Sequence, residues 1–268
     1  MKALLKTIEY DDEDYTFFLE PITDIHMDDI NFDPGKFKTV VNRIKNDKDR
    51  WTIGLGDYGS SIYSFKAEKR SSICIEKKYK DDPDLLYNDL YHALYPIRRK
   101  MLGLCEGNHD YKIKQIGLHN WVKGLAEELK VPFLTFSSLI NLQFIHRKSK
   151  TVTNVKLYAT HGKYGGIETH GALTKMQRLS SQIKADIFIM GDRHDIAFKE
   201  TEVLYVNNQG DLCKSNVLYA LCGCFVDSYD MSNGDISCWP ETMMMYPNKT
   251  GTITIAITPF KGKINFHA

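Results

Sequence analysis

The sequence predicts an α/β fold in which two β-rich halves pack around one core, with helices outside. Three observations lead to this prediction. The first half alternates strand-like apolar runs with helical segments, as in a parallel sheet covered by helices. The second half contains strand-like runs joined by hairpin turns, such as Asn207-Asn208-Gln209-Gly210. The third is that no linker, repeat or low-complexity stretch interrupts the chain, so we expect one domain over residues 1–268.

The first half is predicted to begin with a strand at Phe17–Ile22 and a helix at Pro34–Asn46. Apolar residues recur along this helix at helical spacing, and Asp33 stands before Pro34 as its N-cap. The remaining elements of this half are strands at Trp51–Leu55 and Met101–Cys105, with a helix at Asp84–Arg99 between them.

In the second half, helices are predicted at Trp121–Lys130 and Leu173–Lys184. Strands are predicted wherever apolar and β-branched residues form short runs between turn residues. They are Phe133–Phe136, Leu139–His146, Val152–Thr160, Asp186–Met190, Ile196–Val206, Leu212–Phe225, Thr252–Thr258 and Lys263–Phe266.

Composition limits the classes of protein that remain. A formal charge of +1 excludes a strongly basic overall field, so binding to nucleic acid would need a local patch. The six cysteines lack the spacing of a zinc ribbon, and we expect buried free thiols. No apolar run reaches transmembrane length, and the N-terminal apolar stretch is too short for a signal peptide. These features predict a cytoplasmic protein without a membrane partner.

Five short polar segments follow predicted strands. Because the carboxyl ends of parallel strands meet at one edge of a sheet, their side chains are expected to converge there. Carboxylate, imidazole and amide groups are ligands of divalent first-row metals. The segments are Asp24-Ile-His26, Gly56-Asp57, Gly107-Asn108-His109-Asp110, His161-Gly162 and Gly191-Asp192-Arg193-His194.

Taken singly, these segments have simpler explanations. A Gly-Asp pair after a strand is usually a turn, Asn108 is a suitable helix cap, and His161 is more often a structural histidine. The five together, in this order, predict a metal site. Two residues near these segments have more than one possible role. His170 is expected to be a solvated loop residue rather than part of a pocket. Arg193 either contacts a substrate phosphate or forms a salt bridge.

In type and order the segments resemble the calcineurin-like metallophosphoesterase superfamily, whose pattern is D-x-H, G-D, G-N-H-[DE], H and G-H-x-H. The stretch from His161 to Gly191 further resembles small stand-alone members common in bacteriophage genomes. The resemblance implies a four-layer α/β/β/α sandwich with a dinuclear metal site at the C-terminal tips of the strands.

The resemblance also implies a role for each site residue. Asp57 would bridge the two ions through both carboxylate oxygens, and His109 would donate a proton to the leaving group. Asp110 would hydrogen-bond the His109 ring and fix its tautomer. One ion would be held by Asp24, His26 and His194, and the other by Asn108, His161 and Asp192.

The chemistry asks for the same types of residue. Two divalent ions activate a bridging water and hold the phosphoryl oxygens during an in-line displacement. His109 would then protonate the leaving oxygen as a general acid. Asp192 stands where the family has a histidine, which raises the number of carboxylates to three. Three carboxylates favour a hard ion, so we expect Mn²⁺, with Fe²⁺ and Zn²⁺ as alternatives.

The predicted function is a dinuclear metal-dependent phosphoesterase. A proton donor helps most with a poor alkoxide leaving group, which favours a phosphodiesterase acting on nucleotides or on nucleic acid as a nuclease. The alternatives are a phosphomonoesterase and a non-catalytic scaffold of the same fold. Segment 58–100 and the loops after His161 are expected to shape the pocket. Their composition does not identify the substrate, and the oligomeric state is not predicted.

Overall fold

A computed structural model describes residues 1–60, 74–115, 120–163, 168–229 and 246–267. Within these ranges the chain forms twelve strands, six α-helices and one 3₁₀ helix. The strands are β1 (Lys2–Tyr10), β2 (Phe17–Ile22), β3 (Arg50–Gly54), β4 (Met101–Cys105), β5 (Phe133–Thr135), β6 (Ser137–His146), β7 (Val152–Thr160), β8 (Ile187–Met190), β9 (Ile196–Val206), β10 (Leu212–Cys222), β11 (Thr254–Thr258) and β12 (Lys263–His267). The helices are α1 (Pro34–Asn46), α2 (Lys77–Asp81), α3 (Pro83–Leu94), the 3₁₀ helix Tyr95–Lys100, α4 (Asn108–Gln115), α5 (Trp121–Leu129) and α6 (Thr169–Leu179).

The strands form two six-stranded sheets. The first sheet has the order β12-β11-β2-β3-β4-β5, and the second has the order β1-β6-β7-β8-β10-β9. In the first sheet β2 to β5 run parallel. In the second sheet β7, β8 and β10 run parallel. The carboxyl ends of each parallel set therefore lie along one edge of their sheet.

Three apolar clusters define the layers. The first lies between the sheets and joins Leu19 of β2 to Phe144 of β6. A second packs the outer face of the first sheet against helices, including Ile44 of α1 and Leu125 of α5. A third packs Met176 of α6 on the outer face of the second sheet. The order of layers is helix, sheet, sheet, helix, which confirms the predicted α/β/β/α sandwich.

Most predicted elements are confirmed, and β2, α1, β4, β7 and β9 have the predicted bounds. The predicted N-cap is also confirmed, because the Asp33 carboxylate accepts a hydrogen bond from the amide of Lys36 at 2.8 Å. The helix predicted at Asp84–Arg99 ends as an α-helix at Leu94 and continues as a 3₁₀ helix. Pro96 explains this change, because a proline has no N–H to donate to the preceding turn.

Several elements differ from the prediction. Strand β1 and the short helix α2 were not predicted, and β1 pairs in parallel with β6. Asn108 to Gln115 form helix α4, for which the only sign in the sequence was Asn108 as a suitable cap. Helix α6 begins and ends earlier than predicted; at its end the hydroxyl of Ser180 bonds to the carbonyl of Gln177 at 2.7 Å and competes with helical hydrogen bonds.

Two composition-based predictions are answered for the described part of the chain. Its cysteines are free thiols, of which Cys213 is half-buried and the others are buried. Cys238 lies outside the described residues. No described helix has both the length and the apolar character needed to cross a bilayer. That residues 1–268 form one domain, and that the protein is cytoplasmic, stay predictions.

A buried charge cluster ties β2 to its neighbours. Glu20 is fully buried in β2. The Nε of Arg43 in α1 lies 2.8 and 3.0 Å from the two carboxylate oxygens. Arg50 of β3 and the hydroxyl of Thr254 also bond to Glu20. Because the Arg50 side chain is only 13% exposed, its charge needs carboxylate partners, which are Glu20 and, at 3.2 Å from its Nε, Asp47.

The change Glu20→Ala is expected to lower the free energy of unfolding by about 3 kcal/mol, since it leaves buried positive charge without its main partner. Urea denaturation measures this change. The matched control is Glu9→Ala, which removes an exposed partner of Arg147 at 3.0 Å and is expected to cost about 0–1 kcal/mol. Equal losses for both variants would contradict the account.

Candidate metal centre

The five predicted segments converge at one end of the sandwich. Asp24, Asp57 and Asn108 follow β2, β3 and β4 of the first sheet. His161 follows β7 of the second sheet, and the segment ending in His194 follows β8. Each segment lies at the C-terminal tip of a strand, as predicted, so the site lies across the seam between the two sheets.

Backbone hydrogen bonds hold these tips together. The amide of Asp24 donates to the carbonyl of Gly56 at 3.0 Å within the first sheet. Across the seam, the amide of Phe225 donates to the carbonyl of Asp24 at 3.1 Å. The amide of Asp192 donates to Oδ2 of Asp24 at 3.0 Å. Asp24 thus joins the two sheets at this end.

Five of the seven predicted metal ligands have left-handed backbone. Their φ values lie between 42° and 65°, a region that non-glycine residues seldom adopt. Strained conformations of this kind persist where surrounding contacts impose them, and they concentrate at functional sites. The five residues are Asp24, His26, Asp57, Asp192 and His194.

The first predicted group of ligands is assembled. One donor atom from each of Asp24, His26 and His194 lies within 4.8 Å of the others. Nε2 of His194 is 3.3 Å from Oδ1 of Asp24. This Oδ1 is buried and has no hydrogen-bond partner in the described structure. A buried carboxylate oxygen without a donor is suited to a cation.

The second predicted group surrounds His161. Its Nε2 lies 2.8 Å from Oδ1 of Asn108 and 3.8 Å from Oδ1 of Asp192. Its Nδ1 lies 2.9 Å from the carbonyl oxygen of Leu55, which can only accept. A proton is therefore held on Nδ1. Because Oδ1 of Asn108 is also an acceptor, Nε2 carries a second proton in the metal-free ring, and its lone pair becomes available to a metal once that proton is lost.

Asp57 lies between the two groups. Its Oδ2 is 3.3 Å from Nε2 of His161 and 3.9 Å from Nε2 of His26. Its Oδ1 accepts the amide of His109 at 2.8 Å. Oδ1 thus bonds to the first turn of α4, while Oδ2 faces both groups of ligands. That both carboxylate oxygens bind metal stays a prediction.

His109 stands at the rim of this cluster, and its side chain is 27% exposed. Its Nε2 is 3.9 Å from Oδ2 of Asp57, and its Nδ1 is 3.3 Å from the carbonyl oxygen of Ser60. The ring therefore faces the ligands from the solvent side.

The predicted bond from Asp110 to the His109 ring is not found among the described contacts. Oδ2 of Asp110 accepts the amides of Asp57 at 2.7 Å and Gly107 at 2.8 Å, and its Oδ1 has no hydrogen-bond partner within the described part of the chain. Adjacent residues in the first turn of a helix point in different directions, so Asp110 faces the strand tips while His109 faces the cluster. Asp110 holds two loop backbones together.

Burial and neighbouring charges set the electrostatics around Asp57. Burial alone would raise the pKa of Asp57, but His161 and His109 lower it well below its usual range. Burial lowers the pKa of His161, yet the charge of Asp57 outweighs this and raises it to about 10. Burial and the charge of Asp57 raise the pKa of Asp110 well above its usual range. The centre without metal thus stabilises positive charge beside Asp57.

The first group behaves in the same way. Burial would raise the pKa of Asp24, but the neighbouring His194 ring, whose Nε2 lies 3.3 Å from Oδ1, lowers it. Burial lowers the pKa of His194, while Cys224 and Asp24 raise it well above its usual value. Burial and the charge of His109 lower the pKa of His26 to about 3, so this ring is neutral near pH 7.

Some residues of the site carried no signal in the sequence. The hydroxyl of Thr23 donates to Oδ2 of Asp24. The hydroxyl of Ser60 lies 3.1 Å from Nδ1 of His26. The carbonyl of Leu55 orients His161 through its backbone, which no residue type encodes. These contacts become visible only when the tips are placed together.

The structure also describes the surroundings of Arg193 and His170. Arg193 is buried, and its Nη2 lies 3.4 Å from Oδ2 of Asp195, which favours the salt bridge over contact with substrate. The His170 side chain is 80% exposed, as expected, but it lies in the first turn of α6 rather than in a loop. Parts of the predicted pocket segments, at residues 61–73 and 164–167, lie outside the described residues.

Neither protein-family models nor curated proteins give a match to this chain. Solved structures do. A predicted phosphoesterase from Streptococcus pneumoniae TIGR4 is 12% identical, with 94% of this chain and 89% of that chain covered and a TM-score of 0.38. Vps29 of Entamoeba histolytica, solved with Zn²⁺, is 12% identical, with coverages of 94% and 97% and a TM-score of 0.44. A metallophosphoesterase from Sphaerobacter thermophilus is 12% identical, with coverages of 94% and 87% and a TM-score of 0.39.

The chain has the predicted arrangement of two sheets between layers of helices. At 12% identity and TM-scores below 0.5, these likenesses assign no activity to it. What the site does has to be decided from its own residues, among which Asp and His side chains are grouped closely enough to hold metal.

The change Gly107→Ala is expected to destabilise the site and the fold together. A Cβ at this position would lie 2.1 Å from Oδ1 and 2.4 Å from the backbone nitrogen of Asp57. Relieving this clash moves Asp57, and overpacking of this kind costs about 1–3 kcal/mol. Urea denaturation measures the loss.

The control for this prediction is Gly124→Ala in α5, where the nearest atom would be the Tyr87 hydroxyl at 3.7 Å. Alanine is the better helix former, so this control is expected to gain about 1 kcal/mol. A Gly107→Ala protein as stable as the control would show that the Asp57 backbone is not confined as described.

Proposed function

We propose that this protein is a metal-dependent phosphoesterase with two divalent ions, and that it cleaves phosphodiesters of the nucleotide or nucleic-acid class. The observation that carries the proposal is the arrangement around Oδ2 of Asp57. Nitrogen Nε2 of His26, His109 and His161 all lie within 3.9 Å of this one oxygen. Ligands of two groups and a proton donor therefore share a single centre.

The residues present fit two divalent cations. The described donors are carboxylate oxygens, imidazole nitrogens and one amide oxygen, a set that suits Mn²⁺, Fe²⁺ or Zn²⁺. Oδ1 of Asp24 is buried without a hydrogen-bond partner among the described residues. Asp24, His26 and His194 would hold one ion, Asn108, His161 and Asp192 the other, and Asp57 both. Bound there, divalent ions would neutralise phosphoryl oxygens and lower the pKa of a water.

His109 would supply the proton of the reaction. Its Nδ1 lies 3.3 Å from the carbonyl oxygen of Ser60, and this contact favours the ring orientation in which Nε2 faces the cluster. In the imidazolium form, Nε2–H would donate to the leaving oxygen as its bond to phosphorus breaks. This help is greatest for an alkoxide, the leaving group in nucleotides and nucleic acids.

Asp192 would make the second site more anionic. Its side chain is 14% exposed and faces Nε2 of His161, so it lies where a ligand is needed. With Asp24 and Asp57 it brings three carboxylates to the centre. The added anionic oxygen favours harder ions, which supports Mn²⁺ as the preferred metal.

The change Asp192→Ala is expected to weaken one of two Mn²⁺ ions by about tenfold or more, because losing even a contact that supports a metal costs this much. Calorimetric titration of the metal-free chain with MnCl₂ measures both affinities. The control is Asp186→Ala at the opposite end of β8, where the carboxylate bonds only to backbone at 2.7 Å in the described structure. Unchanged binding of both ions by Asp192→Ala would remove Asp192 from the ligands.

The activity itself is tested with bis(p-nitrophenyl) phosphate, p-nitrophenyl phosphate and a dinucleoside phosphate, in Mn²⁺ and after chelation. We expect cleavage of the diesters that disappears on chelation. Preference for the monoester would indicate a phosphomonoesterase. Tight binding of two ions without turnover of any substrate would favour a scaffold.

The change His109→Asn is expected to slow cleavage of the dinucleoside phosphate by about 10²–10⁴-fold. Cleavage of bis(p-nitrophenyl) phosphate should fall less, because nitrophenolate leaves without a proton. The control is His92→Asn, an exposed histidine in α3. An equal loss on both substrates would indicate that His109 binds the phosphate rather than protonating the leaving group.

A further inference from the structure

Ser60, which follows the Gly56-Asp57 tip, contacts two histidine rings of the metal centre. Its hydroxyl oxygen lies 3.1 Å from Nδ1 of His26. Its carbonyl oxygen lies 3.3 Å from Nδ1 of His109. The ring centroids are 5.1 Å apart, and the planes are nearly perpendicular at 87°. One residue therefore touches a proposed metal ligand and the proposed proton donor.

These contacts direct both rings at the same atom. Nε2 of His26 and Nε2 of His109 each lie 3.9 Å from Oδ2 of Asp57. The carbonyl oxygen of Ser60 can only accept, so Nδ1 of His109 must donate to it. A proton held on Nδ1 leaves Nε2 available toward the centre.

Asp28 anchors the residue that makes these contacts. The amide of Ser60 donates to Oδ1 of Asp28 at 2.8 Å, and Asp28 is fully buried. The hydroxyl of Ser60 is able to accept a hydrogen bond from Nδ1 of His26. With the proton on Nδ1, the Nε2 lone pair of His26 faces the centre, as its proposed role as a metal ligand requires.

We propose that Ser60 is a positioning residue that fixes the tautomers of His26 and His109 together, through its hydroxyl and its carbonyl oxygen. The roles given to the two rings and the tautomer of His26 rest on the proposed function, whereas the tautomer of His109 follows from its contact with the Ser60 carbonyl. Asp28 anchors the peptide of Ser60 and so supports both contacts. Residues that orient a metal-binding histidine in this way commonly change metal affinity by about 10–100-fold.

The proposal separates the two contacts by mutation. Ser60→Ala removes the hydroxyl and keeps the carbonyl, so only His26 should change. Ser60→Thr keeps a hydroxyl and should restore the original state. Asp28→Ala releases the Ser60 peptide, so both rings should change.

The first measurement is the set of imidazole ¹⁵N chemical shifts of the metal-free chain near neutral pH. In the wild-type chain both rings should show Nδ1–H. In Ser60→Ala the His26 signals should move toward mixed tautomers while those of His109 stay. In Asp28→Ala both sets should move. If Asp28→Ala does not fold, the pair Ser60→Ala and Ser60→Thr still decides the hydroxyl contact.

The second measurement is calorimetric titration with MnCl₂. One of two ions should bind about 10–100-fold more weakly to Ser60→Ala, and Ser60→Thr should recover most of the affinity. The matched control is Ser180→Ala, a half-buried serine whose hydroxyl bonds to Tyr219 at 2.8 Å. This control should change neither the shifts of the two rings nor the binding of Mn²⁺.

Unchanged His26 signals together with unchanged Mn²⁺ affinity in Ser60→Ala would overturn the proposal. A wild-type chain that binds Mn²⁺ but cleaves no phosphoester would sink the proposed function and leave the role of Ser60 standing. If the wild-type chain binds no Mn²⁺, the imidazole shifts alone decide between the two tautomer states. Failure of one inference is therefore distinct from failure of the other.

Discussion

The structure depends on holding two buried carboxylates, Asp24 and Asp57, close together where the two sheets meet. Their donor atoms lie within 4.8 Å of each other and of His161. At an effective dielectric constant of about 20, like charges at this distance repel by about 3 kcal/mol. The other residues at this end of the sandwich offset this repulsion. The amide of Asp192 donates a hydrogen bond to Asp24, and the amide of His109 donates one to Asp57. Protonated histidines, or metal ions in their place, supply positive charge.

The same constraint explains the unusual backbone. To bring side chains from strands of two sheets to one centre, the chain must turn sharply just after β2, β3 and β8. Five site residues accept left-handed φ values for this purpose, each at a cost of about 1–3 kcal/mol. Summed over the five residues, this cost approaches the net stability of an ordinary domain. The cluster of apolar residues between the sheets has to offset it. Stability and site geometry are thus linked at the strand tips.

The sequence predicts those parts whose cause is local. Helix α1 is predicted with its bounds because its cap, its proline and its apolar spacing all lie within the segment. Strand β1 escapes prediction because it is an edge strand, with Leu5 exposed, and its partner β6 lies far along the chain. In the site, residue types and strand tips are predictable. The directions of Asp110 and of the Ser60 carbonyl are not, because they depend on how α4 and the β3 tip meet in space.

The aspartate at position 192 shows how one residue can serve the site in two independent ways. Its amide donates to Oδ2 of Asp24, a bond that any residue except proline can make. Its side chain faces His161. Only this side-chain contact changes when an aspartate stands in place of the histidine found in the family that the sequence resembles. The backbone bond keeps the two sheets joined at Asp24 whatever side chain is present. Variation at this position can therefore alter the charge and the metal preference of the second site while the seam, and the first group of ligands, stay in place.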